Sequence, residues 1–158
     1  MKIKDVMNKD VITCAPGDSL SYISNLLKEN HISGLPVVDK GKVVGLVSET
    51  DLLKLFKIPE FSNELWLPSP FEIIEIPIRN LVRIEETRNA LENLKLRPVE
   101  DIMTKDVHAI SPEDELEDAS GIMVKYKVNR LPVIDDNGKL VGIVARSDIL
   151  RGLAGSGK

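Results

Sequence analysis

Two stretches predict the architecture of this chain: Gly142-Ile-Val-Ala-Arg-Ser-Asp148 and its earlier counterpart Gly45-Leu-Val-Ser-Glu-Thr-Asp51. Each joins an apolar, β-rich run to an Asp that opens a short apolar helical run, so each predicts a buried strand that turns directly into a helix. A carboxylate at such a joint can accept hydrogen bonds from its own helix N-terminus or from the hydroxyl groups of a ligand. Both roles are open for Asp51 and Asp148.

The two stretches belong to an internal duplication, in which Lys4–Lys54 aligns with Glu100–Arg151. The offset is 96 residues and becomes 97 after Asn137. Roughly 20 of about 50 aligned positions are identical, far more than two unrelated segments would share. Leu35-Pro-Val37, for example, recurs as Leu131-Pro-Val133. The chain therefore contains two copies of one structural unit.

Each copy predicts the element order β-α-β-β-α. Its first strand is Val11–Thr13 or Val107–Ile110, and Asp18 or Asp114 then supplies the N-cap of the first helix. Neither copy has enough apolar residues to form a stable hydrophobic core alone. We therefore expect an α+β fold in which two β-α-β-β-α repeats pack sheet to sheet with pseudo-twofold symmetry.

The two later strands of each copy predict a hairpin. Asp39-Lys-Gly41 supplies the turn in the first copy, and Asp135-Asp-Asn-Gly138 supplies a longer turn, with the stronger Asn-Gly signal, in the second. Each hairpin is followed by a short apolar helix that begins near Asp51 or Asp148. The stretches that open this section thus mark the last strand and last helix of each repeat.

These patterns divide the chain into four parts. Residues 1–56 form the first repeat and residues 99–153 the second. Residues 57–98 form an ordered insert that contains a loop and an amphipathic helix over Ile84–Lys95, because its apolar content is too high for a disordered linker. Residues 154–158 are rich in Gly and Ser and predict a flexible tail.

Composition excludes several classes of function. The net charge of -4 disfavours a nucleic-acid-binding protein. No apolar run approaches the roughly 20 residues that span a membrane, and no signal peptide begins the chain, so we expect a cytoplasmic protein. The single cysteine, Cys14, aligns with Ile110 and is interpreted as a small buried apolar residue rather than a nucleophile.

No catalytic or metal-binding pattern is present in the sequence. It contains no Walker-type phosphate loop, Gly-x-Gly-x-x-Gly, nucleophile elbow or zinc pattern. His31 and His108 occupy non-equivalent positions without a Cys or carboxylate at ligand spacing. We therefore expect no enzymatic activity, no catalytic cofactor and no metal site.

The duplicated Leu-Pro-Val-h-Asp and Gly-h-Val patterns, where h is apolar, together with the Asp before the last helix, resemble a tandem pair of CBS domains, or Bateman module, of the stand-alone two-domain type. The resemblance covers both repeats and not the insert. It implies a regulatory module whose two clefts bind adenosine compounds: AMP, ADP, ATP or an S-adenosylmethionine-type ligand. It also implies a homodimer, as a flat four-repeat disc, that signals to a separate, unknown partner protein.

The resemblance further implies that each cleft mixes residues of both repeats, and that the Asp opening the last helix binds ribose. The first cleft would be formed by Thr13, Ala15, Ile32, Ser33, Arg130, Arg146, Ser147 and Asp148. The second would be formed by Gly34, Ser48, Thr50, Asp51, His108, Ile110, Val128 and Asn129.

The differences between the clefts predict different ligands. The Asp148 cleft has two arginines, Arg130 and Arg146, which suit a phosphorylated nucleotide. The Asp51 cleft has Gly34 and Glu49 at the equivalent positions, so it would favour a neutral or cationic adenosine compound or stay empty. In the alternative interpretation, the two Asp side chains only stabilise their own helices. The pair would then be a dimerising scaffold without a small ligand.

Overall fold

The structure is a computed structural model that describes residues 1–55, 88–89 and 92–156. A 3-10 turn spans Val99–Asp101. The other elements that the structure describes over their full length are α1 (Ile3–Val6), α2 (Leu20–Glu29), β1 (Gly34–Asp39), β2 (Lys42–Ser48), α3 (Glu49–Lys54), α4 (Leu116–Tyr126), β3 (Arg130–Ile134), β4 (Leu140–Ala145) and α5 (Arg146–Ser156).

Both predicted hairpins are confirmed. Strands β1 and β2 pair antiparallel, as do β3 and β4. The first turn places Lys40 and Gly41 at φ values of 52° and 79°, the left-handed pair that a tight hairpin turn requires. In the second turn, Asp135 Oδ1 accepts hydrogen bonds from the amides of Asn137 and Lys139, at 3.0 and 2.9 Å. Local turn chemistry therefore fixes both hairpins.

The predicted first strands are wrong in extent. Each is reduced to a single parallel bridge, between Cys14 and Val37 in the first repeat and between Ile110 and Val133 in the second. The Cys14 amide donates to the Pro36 carbonyl oxygen at 3.1 Å. The chain then enters a turn at once, so no further rungs of the ladder form.

The predicted N-caps are also wrong, by one residue. Helix α2 begins at Leu20, and its cap is Ser19, whose hydroxyl accepts the Tyr22 amide at 3.2 Å. Asp18 instead accepts the Ala15 amide at 2.8 Å and closes the preceding turn. Asp114 has the same role in the second repeat, where Glu115 is the cap residue of α4. A cap must directly precede the first helical residue, and these Asp residues lie one position too early.

The leading segment of each repeat, residues 2–8 in the first and 98–104 in the second, packs on the other repeat. The Ile3 amide donates to the backbone carbonyl oxygen of Asp114 at 2.9 Å, and the Val99 amide donates to that of Asp18 at 2.8 Å. Ile3, in the first repeat by sequence, is fully buried in the core of the second. Val99 is buried in the core of the first. The two repeats therefore exchange their first elements.

This exchange continues along the edges of both sheets. Asn8 pairs with Ile143 on β4, and Thr104 pairs with Leu46 on β2. Thr104 and Leu46 exchange both backbone hydrogen bonds, at 2.8 and 2.9 Å. Thr104 therefore forms an edge of the first repeat's sheet, although it lies in the second repeat by sequence.

Exposed ion pairs join the first leading segment to Glu113 of the second repeat. Lys2 and Lys4 donate to opposite oxygens of Glu113, at 2.8 and 2.9 Å. These hydrogen bonds lower the pKa of Glu113 to about 2. Because all three side chains are exposed, we expect a small contribution to stability.

The buried apolar residues form two clusters, one on each sheet. The first consists of Cys14, Leu20, Ile23, Leu27, Leu35, Val37, Val47 and Val99. The second consists of Ile3, Ile110, Leu116, Ala119, Met123, Leu131, Val133, Val144 and Ile149. Each cluster includes one residue from the exchanged segment, so each core depends on both repeats.

Helix α5 continues through Ser156 and so extends past residue 154, where the flexible tail was predicted to begin. Residues 92–96 are helical, but most of the predicted insert and of the Ile84–Lys95 helix lies outside the described residues. Among the helices that the structure describes, none has the length and apolar character needed to cross a membrane.

Candidate functional site

A cavity of about 210 Å³ lies where the β2–α3 joint of the first repeat meets the second repeat. It is lined by Leu46, Ser48, Thr50, Asp51, Lys54, Thr104, Asp106, His108, Lys127, Val128, Asn129 and Arg130. We call this cavity the Asp51 pocket. A more open depression of about 590 Å³, lined by Arg97, Glu100, Asp101, Met103 and Lys105, contains none of the predicted site residues.

The Asp51 carboxylate is held by both repeats. Its Oδ2 accepts hydrogen bonds from the amide and the hydroxyl of Ser48, at 3.0 and 3.2 Å. The Asp51 amide donates to Ser48 Oγ in return, at 3.3 Å, which completes a reciprocal cap of α3. Oδ1 accepts the hydroxyl of Thr104 at 3.4 Å. Helix capping thus uses one carboxylate oxygen and leaves the other facing a weak, replaceable donor.

His108 and Tyr126 form an aromatic stack beside the pocket. Their ring centroids lie 3.7 Å apart and their planes differ by 14°. The Asp106 carboxylate lies 3.7 Å from His108 Nε2, and the His108 side chain is 22% exposed. The stack with Tyr126 fixes the orientation of the His108 imidazole, and His108 lines the pocket. This wall is suited to contact with a flat aromatic ring.

Arg130 reaches from the second repeat to the first. Its guanidinium donates to Ser33 Oγ and lies directly over Gly34. Burial lowers the pKa of Arg130, while the negative charges of Glu49 and Asp51 oppose that shift. The guanidinium stays charged in proteins, so it brings a fixed positive charge to the Asp51 pocket.

Two further basic residues line the pocket. Lys54 lies one turn after Asp51 on α3, and Lys127 follows the last residue of α4. Lys127 adopts the left-handed conformation, with φ of 55°, which ends the helix and turns the chain towards β3. Both lysines are exposed, whereas Arg130 is half-buried.

The Asp148 carboxylate has a different environment. Its Oδ2 accepts the Ala145 amide at 2.8 Å, and its Oδ1 accepts a hydrogen bond from Arg151 on the same helix. Arg146 does not approach Asp148 in the described contacts. Its guanidinium donates instead to Asn129 Oδ1, at 3.4 Å. Each Asp therefore stabilises its own helix.

The structure brings six residues predicted for the second cleft into the Asp51 pocket: Ser48, Thr50, Asp51, His108, Val128 and Asn129. Gly34 is buried beneath Arg130, and Ile110 is 4% exposed in the second core, so neither lines it. Arg130 was predicted for the other cleft but lines this one, because its long side chain crosses to the first repeat.

Residues predicted for the first cleft are less closely connected. Ser33 contacts Arg130, but no described hydrogen bond joins Asp148 to Thr13, Ala15 or Ile32. Exposed positions among the predicted set are Thr13, Ala15, Ser33, Arg146 and Ser147, whereas Ile32 and Asp148 are half-buried.

Cys14 is buried in the first core, as predicted. Burial, aided by the negative charge of Asp18, raises the pKa of the Cys14 thiol to about 12. The thiolate form that acts as a nucleophile is therefore scarce at neutral pH. Within residues 1–55, 88–89 and 92–156, no group of three or more His, Cys, Asp or Glu residues could hold a metal ion.

Comparison with known proteins identifies the duplicated unit. The sequence model of the CBS domain matches residues 3–58 and 99–155, which together cover most of the chain. This chain belongs to the CBS domain family. Its two repeats are a tandem CBS pair, as the duplicated motifs predicted.

Relatives of this CBS pair include the uncharacterized protein MJ1426 of Methanocaldococcus jannaschii. It is 40% identical over 154 residues, which cover 97% of this chain and 91% of that protein. Three further relatives from the same organism are longer, and the chain spans 46%, 40% and 23% of their lengths.

Two solved CBS pairs with bound ligands share the fold. The CBS domain pair of protein MJ0100 was solved with 5′-methylthioadenosine and S-adenosyl-L-methionine. It is 25% identical, has a TM-score of 0.69, and the match covers 99% of this chain and 98% of that one. CBSX2, a protein of Arabidopsis thaliana, was solved with AMP. It is 26% identical, has a TM-score of 0.70, and the match covers 99% of this chain and 98% of CBSX2.

Several pocket residues of the CBS pair were not predicted from the sequence. Leu46, Lys54, Thr104, Asp106 and Lys127 all line the Asp51 pocket. Lys54 had a detectable signal, since residues three apart lie on the same side of a helix and Lys54 follows Asp51 at that spacing. Thr104 had none, because the duplication does not show that the leading segments are exchanged.

Proposed function

We propose that this chain is a regulatory ligand-binding module whose Asp51 pocket binds an adenosine compound. The observation that carries the proposal is the joint construction of the pocket. A carboxylate and two hydroxyl residues of the first repeat face an aromatic and basic wall of the second. A nucleoside presents complementary groups, since its ribose carries adjacent hydroxyls and its base is a flat ring.

Each part of a nucleotide has a partner in the pocket. The ribose hydroxyls would donate to Asp51 Oδ1, which accepts the 3.4 Å hydrogen bond from Thr104 among the described contacts. Adenine would lie against His108 and Val128, and a phosphate would meet Lys54, Lys127 or Arg130. The cavity, at about 210 Å³, is smaller than most drug-binding sites, so the phosphate groups would extend towards its open side.

The basic residues around the Asp51 pocket support a different ligand from the one that the sequence suggested. Arg130 lines the Asp51 pocket together with Lys54 and Lys127. We therefore propose that this pocket accepts a phosphorylated ligand, in place of the neutral or cationic compound expected from Gly34 and Glu49. The Asp148 cleft stays a second proposed site for a phosphorylated nucleotide, on the strength of Arg146.

The ligands of the related structures limit the candidates to test. AMP, 5′-methylthioadenosine and S-adenosyl-L-methionine occupy the solved CBS pairs, and ADP and ATP share the adenosine part. Thermal unfolding should be measured with each compound at about 100 times its Kd. A bound ligand then stabilises the folded state by about 2.7 kcal/mol, which raises Tm by roughly 5–10 °C.

Isothermal titration then locates the binding site. We expect Asp51→Ala to weaken binding of AMP at the pocket at least tenfold, because the ribose loses a charged acceptor. Asp118→Ala serves as the matched control, since it also removes a carboxylate that caps a helix and belongs to neither cleft. Circular dichroism checks that both variants fold. No thermal shift with any of the five compounds would contradict the proposal and favour the scaffold without a small ligand.

We further propose that binding is read out by a partner protein rather than by catalysis in this chain. The match to the CBS domain, which covers both repeats, supports a binding module. A cytoplasmic location and a lack of nucleic-acid binding remain predictions from composition.

We also propose that the chain forms a homodimer. Each of the four helices that flank the sheets exposes a large apolar side chain: Tyr22, Leu53, Val124 and Leu150 are 50%, 61%, 77% and 62% exposed. A second copy of the chain could cover them.

A further inference from the structure

Asp51 and Asp148 differ in the group that occupies the outer carboxylate oxygen. In both, Oδ2 accepts an amide at the strand–helix joint, from Ser48 at 3.0 Å or from Ala145 at 2.8 Å. Oδ1 of Asp51 faces the neutral hydroxyl of Thr104, whereas Oδ1 of Asp148 is bound by the guanidinium of Arg151. The oxygen proposed to hold ribose is therefore paired with a cation in only one cleft.

Arg151 bends back along α5 to reach this position. Its Nε lies 3.4 Å from the carbonyl oxygen of Ser147, and its guanidinium contacts Asp148 one turn earlier in the helix. The Arg151 side chain is 76% exposed, while that of Asp148 is only 12% exposed. The guanidinium thus lies on the solvent side of a nearly buried carboxylate, where an entering ligand would meet it first.

The equivalent residue of the first repeat does not act in this way. Lys54 aligns with Arg151, yet the described contacts include no ion pair between Lys54 and Asp51. Arg146 does not contact Asp148 in the described residues, and its guanidinium donates to Asn129 instead. The ion pair at Asp148 is therefore specific to the second repeat and to Arg151.

We infer that Arg151 sets the ligand selectivity of the Asp148 cleft. A neutral adenosine compound must displace the guanidinium from Oδ1 and offers it nothing in exchange. A phosphorylated compound offers the displaced guanidinium an anionic partner of suitable geometry. Arg151 therefore opposes adenosine and favours AMP at this cleft. The inference rests on the proposed function, because it requires that adenosine compounds bind to this chain.

The test compares adenosine with AMP in a chain that carries Asp51→Ala, so that binding reports on the Asp148 cleft. Adding Arg151→Gln should raise the affinity for adenosine about threefold to fivefold, since an exposed ion pair no longer competes. The ratio of AMP affinity to adenosine affinity should fall about tenfold. A two-site fit for the same Arg151→Gln change in the chain that retains Asp51 provides a second measurement if Asp51→Ala impairs folding.

Arg97→Gln is the matched control, because Arg97 also forms an exposed ion pair within one turn of chain, with Asp101 at 3.5 Å. It should leave both affinities unchanged. An unchanged or lower adenosine affinity in Arg151→Gln, or an unchanged ratio, would overturn the role of Arg151 while leaving the proposed function intact. A parent chain that binds none of the adenosine compounds would instead overturn the proposed function itself.

Discussion

Gly34 and Arg130 occupy equivalent positions in the two repeats, and the side chain of Arg130 lies directly over Gly34. A methyl group on Gly34 would lie 2.6 Å from Arg130 Cζ and 2.9 Å from its Nε. The absence of a side chain at position 34 is therefore what allows the guanidinium to reach Ser33. The contact between these two aligned residues therefore connects the two repeats.

Gly34→Ala should therefore weaken AMP binding at the Asp51 pocket about tenfold, because the guanidinium is displaced from its place beside Asp51 and a charged hydrogen-bonding partner is lost. Arg130 is a flexible side chain, and Gly34 does not have a positive φ, so the free energy of unfolding should change by less than about 1 kcal/mol. Isothermal titration and denaturant unfolding measure the two effects.

Gly17→Ala is the control for that substitution, since a methyl group there would have no neighbour within 4 Å. It should leave AMP affinity unchanged, whereas Arg130→Gln should reproduce the loss caused by Gly34→Ala. Wild-type affinity in Gly34→Ala would show that the position of Arg130 does not matter for binding.

The sequence predicted six of the twelve residues that line the Asp51 pocket, and it assigned Arg130 to the other cleft. Ser48, Thr50 and Asp51 lie within four consecutive residues, so the strand–helix joint itself places them together. Arg130 contacts a residue 97 positions earlier in the chain. A long side chain can cross a repeat boundary, and the alignment of the repeats carries no information on which cleft it then enters.

The exchanged leading segments depend on two close approaches to glycines in the sheets. A methyl group on Gly45 of β2 would lie 2.9 Å from Met103 Cγ and 3.1 Å from the carbonyl oxygen of Thr104. Gly142 of β4 has the corresponding contacts with Met7 and Asn8. Both glycines are buried, so each leading segment crosses the sheet where no side chain intervenes.

Gly45→Ala should lower the free energy of unfolding by about 1–3 kcal/mol, because the new methyl group overpacks the crossing and pushes against backbone as well as against Met103. Chemical denaturation measures the change. Gly121→Ala in α4 is the control, as a methyl group there meets nothing within 4 Å, and should be neutral or stabilising by up to about 1 kcal/mol. Equal stability of Gly45→Ala and wild type would argue against a tight crossing.

Elements set by local chemistry were predictable from the sequence, and those set by tertiary contacts were not. The hairpins followed from Gly41 and Gly138, whose positive φ values fit their turns. The strand predicted over Val107–Ile110 has only the Ile110 bridge to β3, and the opposite edge of that sheet, at Ile143 on β4, pairs with Asn8 of the exchanged segment. No local pattern encodes that exchange.

The duplication also shapes the outer surface of the whole molecule. Leu53 on α3 and Leu150 on α5 are equivalent residues, and both are more than half exposed. Repeats related by pseudo-twofold symmetry present equivalent surfaces twice, and a self-complementary surface of this kind suits a twofold dimer. The proposed homodimer would place both leucines in its interface.

Leu53→Glu combined with Leu150→Glu should therefore convert the dimer to a monomer, because burying two carboxylates per subunit costs several kcal/mol. Light scattering coupled to gel filtration should show about twice the 17.5 kDa of one chain for the wild type and a single-chain mass for the variant.

Leu96→Glu is the control for this double substitution. It changes another exposed leucine, 76% exposed and outside these helices, and should leave the dimer intact. A monomeric wild-type protein, or a dimer that survives the double substitution, would exclude this interface. Because both leucines are already exposed, the double substitution should leave the two cores and the Asp51 pocket folded, which separates the assembly of the chain from its binding of adenosine compounds.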